Sequence, residues 1–427
     1  MNYIEFLDLA KQKGLDNVQI TATTVEAVEI EFIDEKLENY VNTNNTDYFI
    51  KAEKCKKTET IETDYLDEEI IDLLLMKINN TDSNYENEYL EKKEIKDQKE
   101  KVEIDADKEF EILKNIYKYK EKDKRISKIT SAYEDSYIKT KIINSNGANL
   151  ETSSHNYLFY IDVLVEDNDE GISYDKQVLK TNKEDIDFNK IINETIDEAL
   201  IMIDKEDLQT KKYNVVLSTK VASRILSHLE DMLNQKSIRT KTSCMCSKLN
   251  EKIFNDNITI IEDQPNEKYP GFRLFDDEGT ETKTKSVVEN GILKTYFSNI
   301  KEAKINNSKS TGNGYGNIST RNMYLKPSTI KYDEILSELK DGIYITDYMG
   351  SSNTAISTTT GNISIQIFGF VVENGKIKCG FNPCIMTTTI FELFNNVKLI
   401  GDTIEFTNKK AASPILLVEN ISIASSN

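Results

Sequence analysis

Only two histidines occur in the 427-residue chain, His155 and His228, and they stand 73 positions apart (228 − 155). One type of zinc hydrolase draws two histidine ligands from a short helical spacing, and that type of site is excluded here. A lone His228 reads as a partly buried, hydrogen-bonded histidine in preference to a residual ligand or base. The five cysteines, Cys55, Cys244, Cys246, Cys379 and Cys384, are odd in number and irregular in spacing. They do not form a disulfide framework and are expected to be reduced. Cys244-Met-Cys246 offers a metal or redox pair, but alternation on a strand would place both thiols on one face as small buried hydrophobes. Ser351 to Gly361 is rich in hydroxyls, yet no histidine lies near it and no Gly-x-Ser-x-Gly elbow is present, which disfavours a serine or threonine nucleophile. The acidic run Asp276, Asp277, Glu278 lacks the ligand spacing of a calcium loop and reads as an Asp/Gly turn. Ser310-Thr-Gly312-Asn-Gly314-Tyr-Gly316 lacks the Lys-Ser/Thr of a phosphate loop.

The elements that must position these residues follow from periodicity. Helices are expected over Tyr3 to Lys13, stopped by Gly14, and over Asp67 to Ile78, Asp107 to Asp123, Asp185 to Ile203 and Lys220 to Asn234. Strand alternation runs through Val18 to Thr24, Ala27 to Ile33, Leu37 to Val41 and Asp47 to Ala52. A second antiparallel sheet is expected from Ile126 to Tyr133, Tyr137 to Asn144 and Asn149 to Glu166, with Ser145-Asn-Gly147 as a hairpin turn. A further strand at Lys211 to Ser218 opens the C-terminal half. Helices and strands fall in blocks, which gives an α+β class: an N-terminal region of antiparallel sheets with flanking helices, and a β-rich C-terminal domain. The expected division is 1–210, with parts at about 1–80 and 105–210 joined by the charged linker Asn79 to Asp107, and 211–427. In the helix Lys220 to Asn234, the residues Ala222, Ile225, Leu226, Leu229, Met232 and Leu233 form one apolar stripe with His228 at its edge.

Lys and Arg total 54 against 73 Asp and Glu, a net charge of −19, which disfavours a grip on nucleic acid phosphates. The N-terminus lacks a basic segment ahead of an apolar one, and no apolar run reaches the roughly 20 residues that span a bilayer. A soluble, cytoplasmic protein without membrane contact is expected.

The C-terminal half carries Thr346-Asp-Tyr-Met-Gly350, Thr360-Gly361-Asn362, Gly369-Phe-Val-Val-Glu-Asn-Gly375 and Ile400-Gly401-Asp402, in that order. This succession resembles the C-terminal domain of the TldD/PmbA family (peptidase family U62, "modulator of DNA gyrase"). The negative charge weighs against the older gyrase label. The TldD type is implied to be a zinc metalloprotease with a His-Glu-x-x-x-His helix and a distant Cys. Set on this chain, that motif meets His228, then Leu229 in place of the general-base Glu and Leu233 in place of the second His. Ala411-Ala-Ser-Pro-Ile415 holds no sulfur where the metal Cys would fall. Ser227-His228-Leu229 and Ser237 to Ser243 are similar instead to the PmbA (TldE) type. The resemblance therefore implies a chain with no catalytic residue, metal or cofactor of its own, paired with a TldD-type subunit that holds the metal. The complex would cleave unfolded peptides, such as modified-peptide precursors or antitoxins. A homodimeric peptide-binding scaffold and a self-sufficient peptidase are the alternatives. Gly312, Gly314, Arg321, Asp347 and Gly350 are the candidate lining of a peptide channel. One departure is Ile385-Met-Thr-Thr-Thr-Ile390, which lacks the family's Gly-Asn turn.

Overall fold

The computed structural model describes residues 1–81, 89–97, 101–168, 170–350 and 355–425. Asn2 opens the first helix with a reciprocal capping box to Glu5, and Gly14, at φ +89°, follows its end. Helix α1 (Tyr3–Gln12) leads into β1 (Asn17–Ile33), β2 (Lys36–Lys54) and β3 (Lys57–Thr63), then α2 (Glu68–Asn80), capped by Asp67. After β4 (Glu94–Lys96) and α3 (Asp107–Ile116) come β5 (Ile126–Asn144), β6 (Asn149–Asp167), β7 (Glu170–Lys180) and α4 (Phe188–Met202).

These strands make one seven-stranded sheet in the order β3-β2-β1-β5-β6, with β4 and β7 both paired to β6. Two expectations are corrected. The short strands merge into single strands of 17 and 19 residues, and the two expected sheets are one, joined by antiparallel pairing of β1 with β5 from Gln19 to Ile33. Val25-Glu26 of β1 and Glu134 to Ser136 of β5 stay in the ladder because neighbours on both sides satisfy their backbone groups, whereas Asn42 to Thr46 of β2 are held by β1 alone. Thr24 and Thr46 even hydrogen-bond across it at 2.8 Å. The described part of the expected linker is also docked, since β4 pairs with β6 and the Asn144 amide donates to the Leu90 carbonyl at 2.8 Å. The helix expected over Asp107 to Asp123 ends at Ile116 and continues as a 3₁₀ segment, Tyr117–Lys122.

Side chains alternate across a strand. One face of β5 and β6 packs Tyr133, Phe159, Ile161 and Val163 against α3 and α4. The other face presents Glu134, Ser136, Thr152, Asn156 and Tyr160 toward the C-terminal half, where Thr152 accepts from the Leu274 N–H. α1 and α2 cover β1 to β3 through Phe6, Ile20, Ile50, Ile71 and Leu74.

The C-terminal half runs β8 (Lys205–Glu206), β9 (Lys211–Leu217), α5 (Thr219–Ser227), α6 (Leu229–Met232), α7 (Gln235–Arg239), β10 (Ile260–Glu262), β11 (Lys285–Glu289) and β12 (Ile292–Leu293). It continues through α8 (Ile300–Ile305), β13 (Gly314–Tyr315), β14 (Asn317–Ile318), β15 (Met323–Leu325), α9 (Tyr332–Leu339), β16 (Gly342–Met349), β17 (Asn362–Glu373) and β18 (Lys376–Phe381). The last elements are β19 (Cys384–Thr389), α10 (Ile390–Asn395), β20 (Val397–Ile400), β21 (Ala411–Ala412) and β22 (Leu416–Ser425). Strands β16, β9, β22, β19 and β17 pair in sequence and β17 pairs back to β16, so the five close into a ring. Val215, Leu217, Ile343, Ile365 and Val418 from the ring share one core with the leucine stripe of α5 and α6. No helix among the described residues is long and apolar enough to cross a membrane.

Candidate functional site

The helix expected over Lys220 to Asn234 is interrupted at His228, which caps α5 and precedes α6. At this point the Ser227 hydroxyl turns back to the Arg224 carbonyl at 2.7 Å, and the His228 N–H bonds to the Ile225 carbonyl, tightening the last turn. Val221, Ile225, Leu226, Leu229, Met232 and Leu233 are fully buried. Opposite them, Lys220, Arg224, His228 and Asp231 recur at helical spacing and form one polar face, about 16 Å long by helical rise.

The start of this face joins the two halves of the molecule. Lys220 Nζ lies 2.8 Å from Asp175 Oδ1 on β7 and 2.8 Å from Asp347 Oδ2 on β16. Burial pulls the Lys220 amine down, but Asp347 and Asp175 together hold it above the usual lysine value. Arg224 completes the clamp at 2.5 Å from Asp347 Oδ1 and stacks on the Tyr348 ring at 3.8 Å. A cleft of about 350 Å³ opens here, lined by Gly171 to Asp175 of β7, Lys220, Asp347, Met349, Phe368 and Phe381.

In the middle of the face, His228 is half-buried and its side chain makes no hydrogen bond among the described residues, which corrects the hydrogen-bonded histidine expected from sequence. Burial lowers its pKa below the usual imidazole value, Asp231 opposes that shift and Arg224 adds to it. At neutral pH the ring is uncharged. His155, by contrast, sits on β6 with Nε2 2.5 Å from Asp135 and its ring stacked on Tyr157, on the helix-covered face of the sheet.

At the far end, Glu230 is buried and fully engaged. Its Oε2 accepts from Ser319 Oγ, Thr320 N and Thr320 Oγ1 at 2.9, 2.7 and 2.8 Å, and its Oε1 accepts from Lys410 Nζ at 2.9 Å. Beyond it lie three of the expected channel residues. Gly312 needs its φ of +73°, and a Cβ on Gly314 would meet the Glu278 carboxylate at 2.5 Å, so Gly314 serves a close approach. Arg321 lays its guanidinium on the Tyr315 ring at 4.4 Å. Buried Glu262 ties this loop to the sheet, accepting from Asn313 Nδ2, Arg321 N and Lys285 Nζ. Asp347 and Gly350 belong to the Lys220 end instead, and Ser351 to Thr354 of the hydroxyl-rich stretch lie outside the described residues.

The acidic turn is closed by its own backbone, with Asp276 accepting from the Gly314, Glu278 and Thr280 N–H groups. Burial nonetheless pushes its carboxyl up to about 7. Cys244 and Cys246 lie in a turn and not on the expected strand, because Ser243 bonds the Met232 carbonyl and caps the Met245 N–H. Burial raises the Cys244 thiol to about 11, leaving it protonated and unreactive.

A zinc ion requires three or four N, S or O donors at about 2.0–2.3 Å. The positions after His228 carry Leu229 and Leu233, both 0 % exposed in the core, and the Glu230 carboxylate is held by four donors. No group of three His, Cys, Asp or Glu among the described residues is placed to hold a metal. These residues do not fit a zinc ion.

Sequence reasoning missed Lys220, Arg224, Asp175 and the Glu230 network. The four-residue spacing of Lys220, Arg224 and His228 opposite the leucine stripe could have marked the helix members, whereas Asp175 arrives only by tertiary packing.

A model of the PmbA/TldA metallopeptidase C-terminal domain matches residues 210–425, and one of the central domain matches residues 97–203. The chain is 26% identical over 301 residues to a metalloprotease PmbA homolog of Buchnera aphidicola subsp. Acyrthosiphon pisum, covering 70% of this chain and 66% of that protein. It is 26% identical over 221 residues to metalloprotease PmbA of Escherichia coli O157:H7, covering 52% of this chain and 48% of that one. The matched stretches thus span about half to two thirds of these curated relatives. Among solved structures, a Thermotoga maritima protein named for modulation of a DNA gyrase superposes with a TM-score of 0.89 at 25% identity, covering 99% of this chain and 100% of that one. TldE of Thermococcus kodakarensis shares the fold at a TM-score of 0.85 and 17% identity, covering 99% of each chain.

Proposed function

Since this chain belongs to the PmbA/TldD metallopeptidase family, we propose that it acts as the non-catalytic, TldE/PmbA-like subunit of a two-subunit metallopeptidase that cleaves unfolded peptides. The observation that carries this reading is the burial of Leu229 and Leu233, which turns a helix that would hold metal ligands into a core helix. The catalytic metal then belongs to a TldD-type partner. This chain supplies one wall of the peptide chamber.

The cleft between the halves suits an extended peptide. Its rim is β7, which pairs only with β6 among the described residues and uses its outer edge for one backbone bond, Leu179 N–H to the Phe406 carbonyl. A peptide added to that edge would be held by main-chain hydrogen bonds that ignore side-chain identity. The neutral His228 and the Lys220–Asp347–Arg224 clamp face the same polar stripe and orient the bound backbone.

The test is hydrolysis of an unfolded peptide by this chain alone, by a TldD-type subunit alone and by the two co-expressed. The reading expects a mixed complex whose activity far exceeds that of this chain, which should have none. Hydrolysis by this chain alone, lost on His228→Ala, would replace it with a self-sufficient peptidase.

A further inference from the structure

Two guanidiniums converge on one ring beside the Gly-rich loop, and the Lys409 amine is close enough to feel both charges. Arg321 and Arg273 both approach the half-buried Tyr315 ring, their guanidinium carbons 4.4 and 5.4 Å from its centroid. Tyr315 is fixed by its hydroxyl contact with Gln264, whose amide donates to the Gly312 carbonyl at 2.9 Å. Arg273 has one carboxylate, Asp277 at 2.8 Å, while its Nε is buried without a partner. Neither the Arg321 guanidinium nor the Lys409 amine makes an ion pair or hydrogen bond among the described residues. The nearby Glu230 is already paired with Lys410.

Holding unpaired cations partly out of water is costly, and it stands out in a chain of net charge −19. Burial and the Arg273 charge push Arg321 below the usual arginine value, and burial and Arg321 do the same to Lys409. Two planar forks held against one aromatic ring, with the Lys409 amine near enough to feel both charges, match an oxyanion that accepts bidentate bonds.

We propose that Arg273, Arg321 and Lys409 form a receptor for a carboxylate of the bound peptide. The proposal rests on the peptide-binding reading above and adds a chemical preference to it. The arginine pair lies at the end of the α5–α6 polar face, next to the Glu230–Lys410 pair through Thr320, so a peptide running from the β7 rim would reach it with one end or one acidic side chain. Glu134 of β5 attracts the Lys409 charge without forming an ion pair with it, and only partly offsets the burial and the two arginines that lower the lysine.

The experiment is calorimetric titration of the full chain with three probes: an unstructured neutral hexapeptide with a free C-terminus, its C-terminal amide, and the amide bearing one Glu. Either carboxylate-bearing probe should bind about tenfold or more tightly than the plain amide. A preference for the free acid identifies the C-terminus as the source, and a preference for the Glu-bearing amide identifies the side chain. Lys409→Met should abolish the preference; with no ion pair or hydrogen bond to lose among the described residues it is expected to fold, and Arg321→Met provides a second variant. Equal binding of all three probes, or a preference that survives both variants, overturns the carboxylate receptor. In that event an active mixed complex leaves the subunit reading standing, whereas an inactive mixture that binds none of the probes removes both.

Discussion

Replacing Glu230 with Ala tests whether the end of the metal-position helix is structural. Glu230 is 9 % exposed and Thr320 is 1 % exposed, so water cannot readily replace the lost acceptor. The Thr320 N–H bond at 2.7 Å would be orphaned, a cost of about 1–3 kcal/mol for a buried donor. The Ser319 and Thr320 hydroxyls can rotate to other acceptors and add about 1 kcal/mol. Lys410 is 54 % exposed, so its ion pair contributes well under about 1 kcal/mol. The sum is about 3 kcal/mol. For a cooperative unit the size of the C-terminal half this corresponds to a fall in Tm of about 6–12 °C. Thermal unfolding followed by circular dichroism reads it, and Glu230→Gln, which keeps an acceptor for Thr320, should lose about half as much. Because Thr320 precedes Arg321, the alanine variant should also weaken carboxylate-bearing peptides. A Tm within about 2 °C of the parent would refute the assignment of Glu230 as the anchor of this loop.

Leu229→Glu, which restores the acidic residue of the metal motif, should cost several kcal/mol by placing a carboxylate in a fully buried site, and added zinc should not raise its Tm; a zinc-dependent rise would show a latent metal site. Asp276 should give a pH signature. Its folded carboxyl is raised from 3.8 to about 7, so its contribution to stability is fully present below about pH 4 and is lost as pH rises toward 7. The stability of the parent relative to Asp276→Asn should therefore fall by about 4 kcal/mol across that window, and a flat or rising difference in denaturant titrations would contradict it. Gly291→Ala should be far more damaging than Gly316→Ala. Both have positive φ, +78° and +70°, but a Cβ at 291 would lie 2.1 Å from the Phe254 carbonyl while one at 316 meets nothing within 4 Å. Equal Tm losses would show that backbone conformation alone sets the cost.

Local signals were legible where they are strong. Gly14 marks the end of the first helix, and α1, α2 and α4 fall close to the spans their periodicity predicts. The α+β class follows from blocks of helix and strand, and the ordered Gly turns of the C-terminal half led to the family. Strand length was not legible. Val25-Glu26 and Glu134 to Ser136 interrupt the apolar alternation, yet remain in strands because both neighbours pair with them. The union of two expected sheets through β1 and β5 is equally a tertiary fact. In the site, the stripe that buries Leu229 and Leu233 was readable from helical spacing. The break at His228 depends on a local Ser227 bond, and the clamp on Lys220 depends on Asp175, 45 residues away. Arg273 and Lys409 gave no sequence signal because they meet Arg321 only in the folded chain.

The most direct measurement is the zinc content of this chain alone, of a TldD-type subunit alone and of the purified complex, by elemental analysis. A non-catalytic subunit predicts no zinc in this chain alone and about one zinc per pair, contributed by the partner. One equivalent bound by this chain alone, and lost on His228→Ala, would contradict the account.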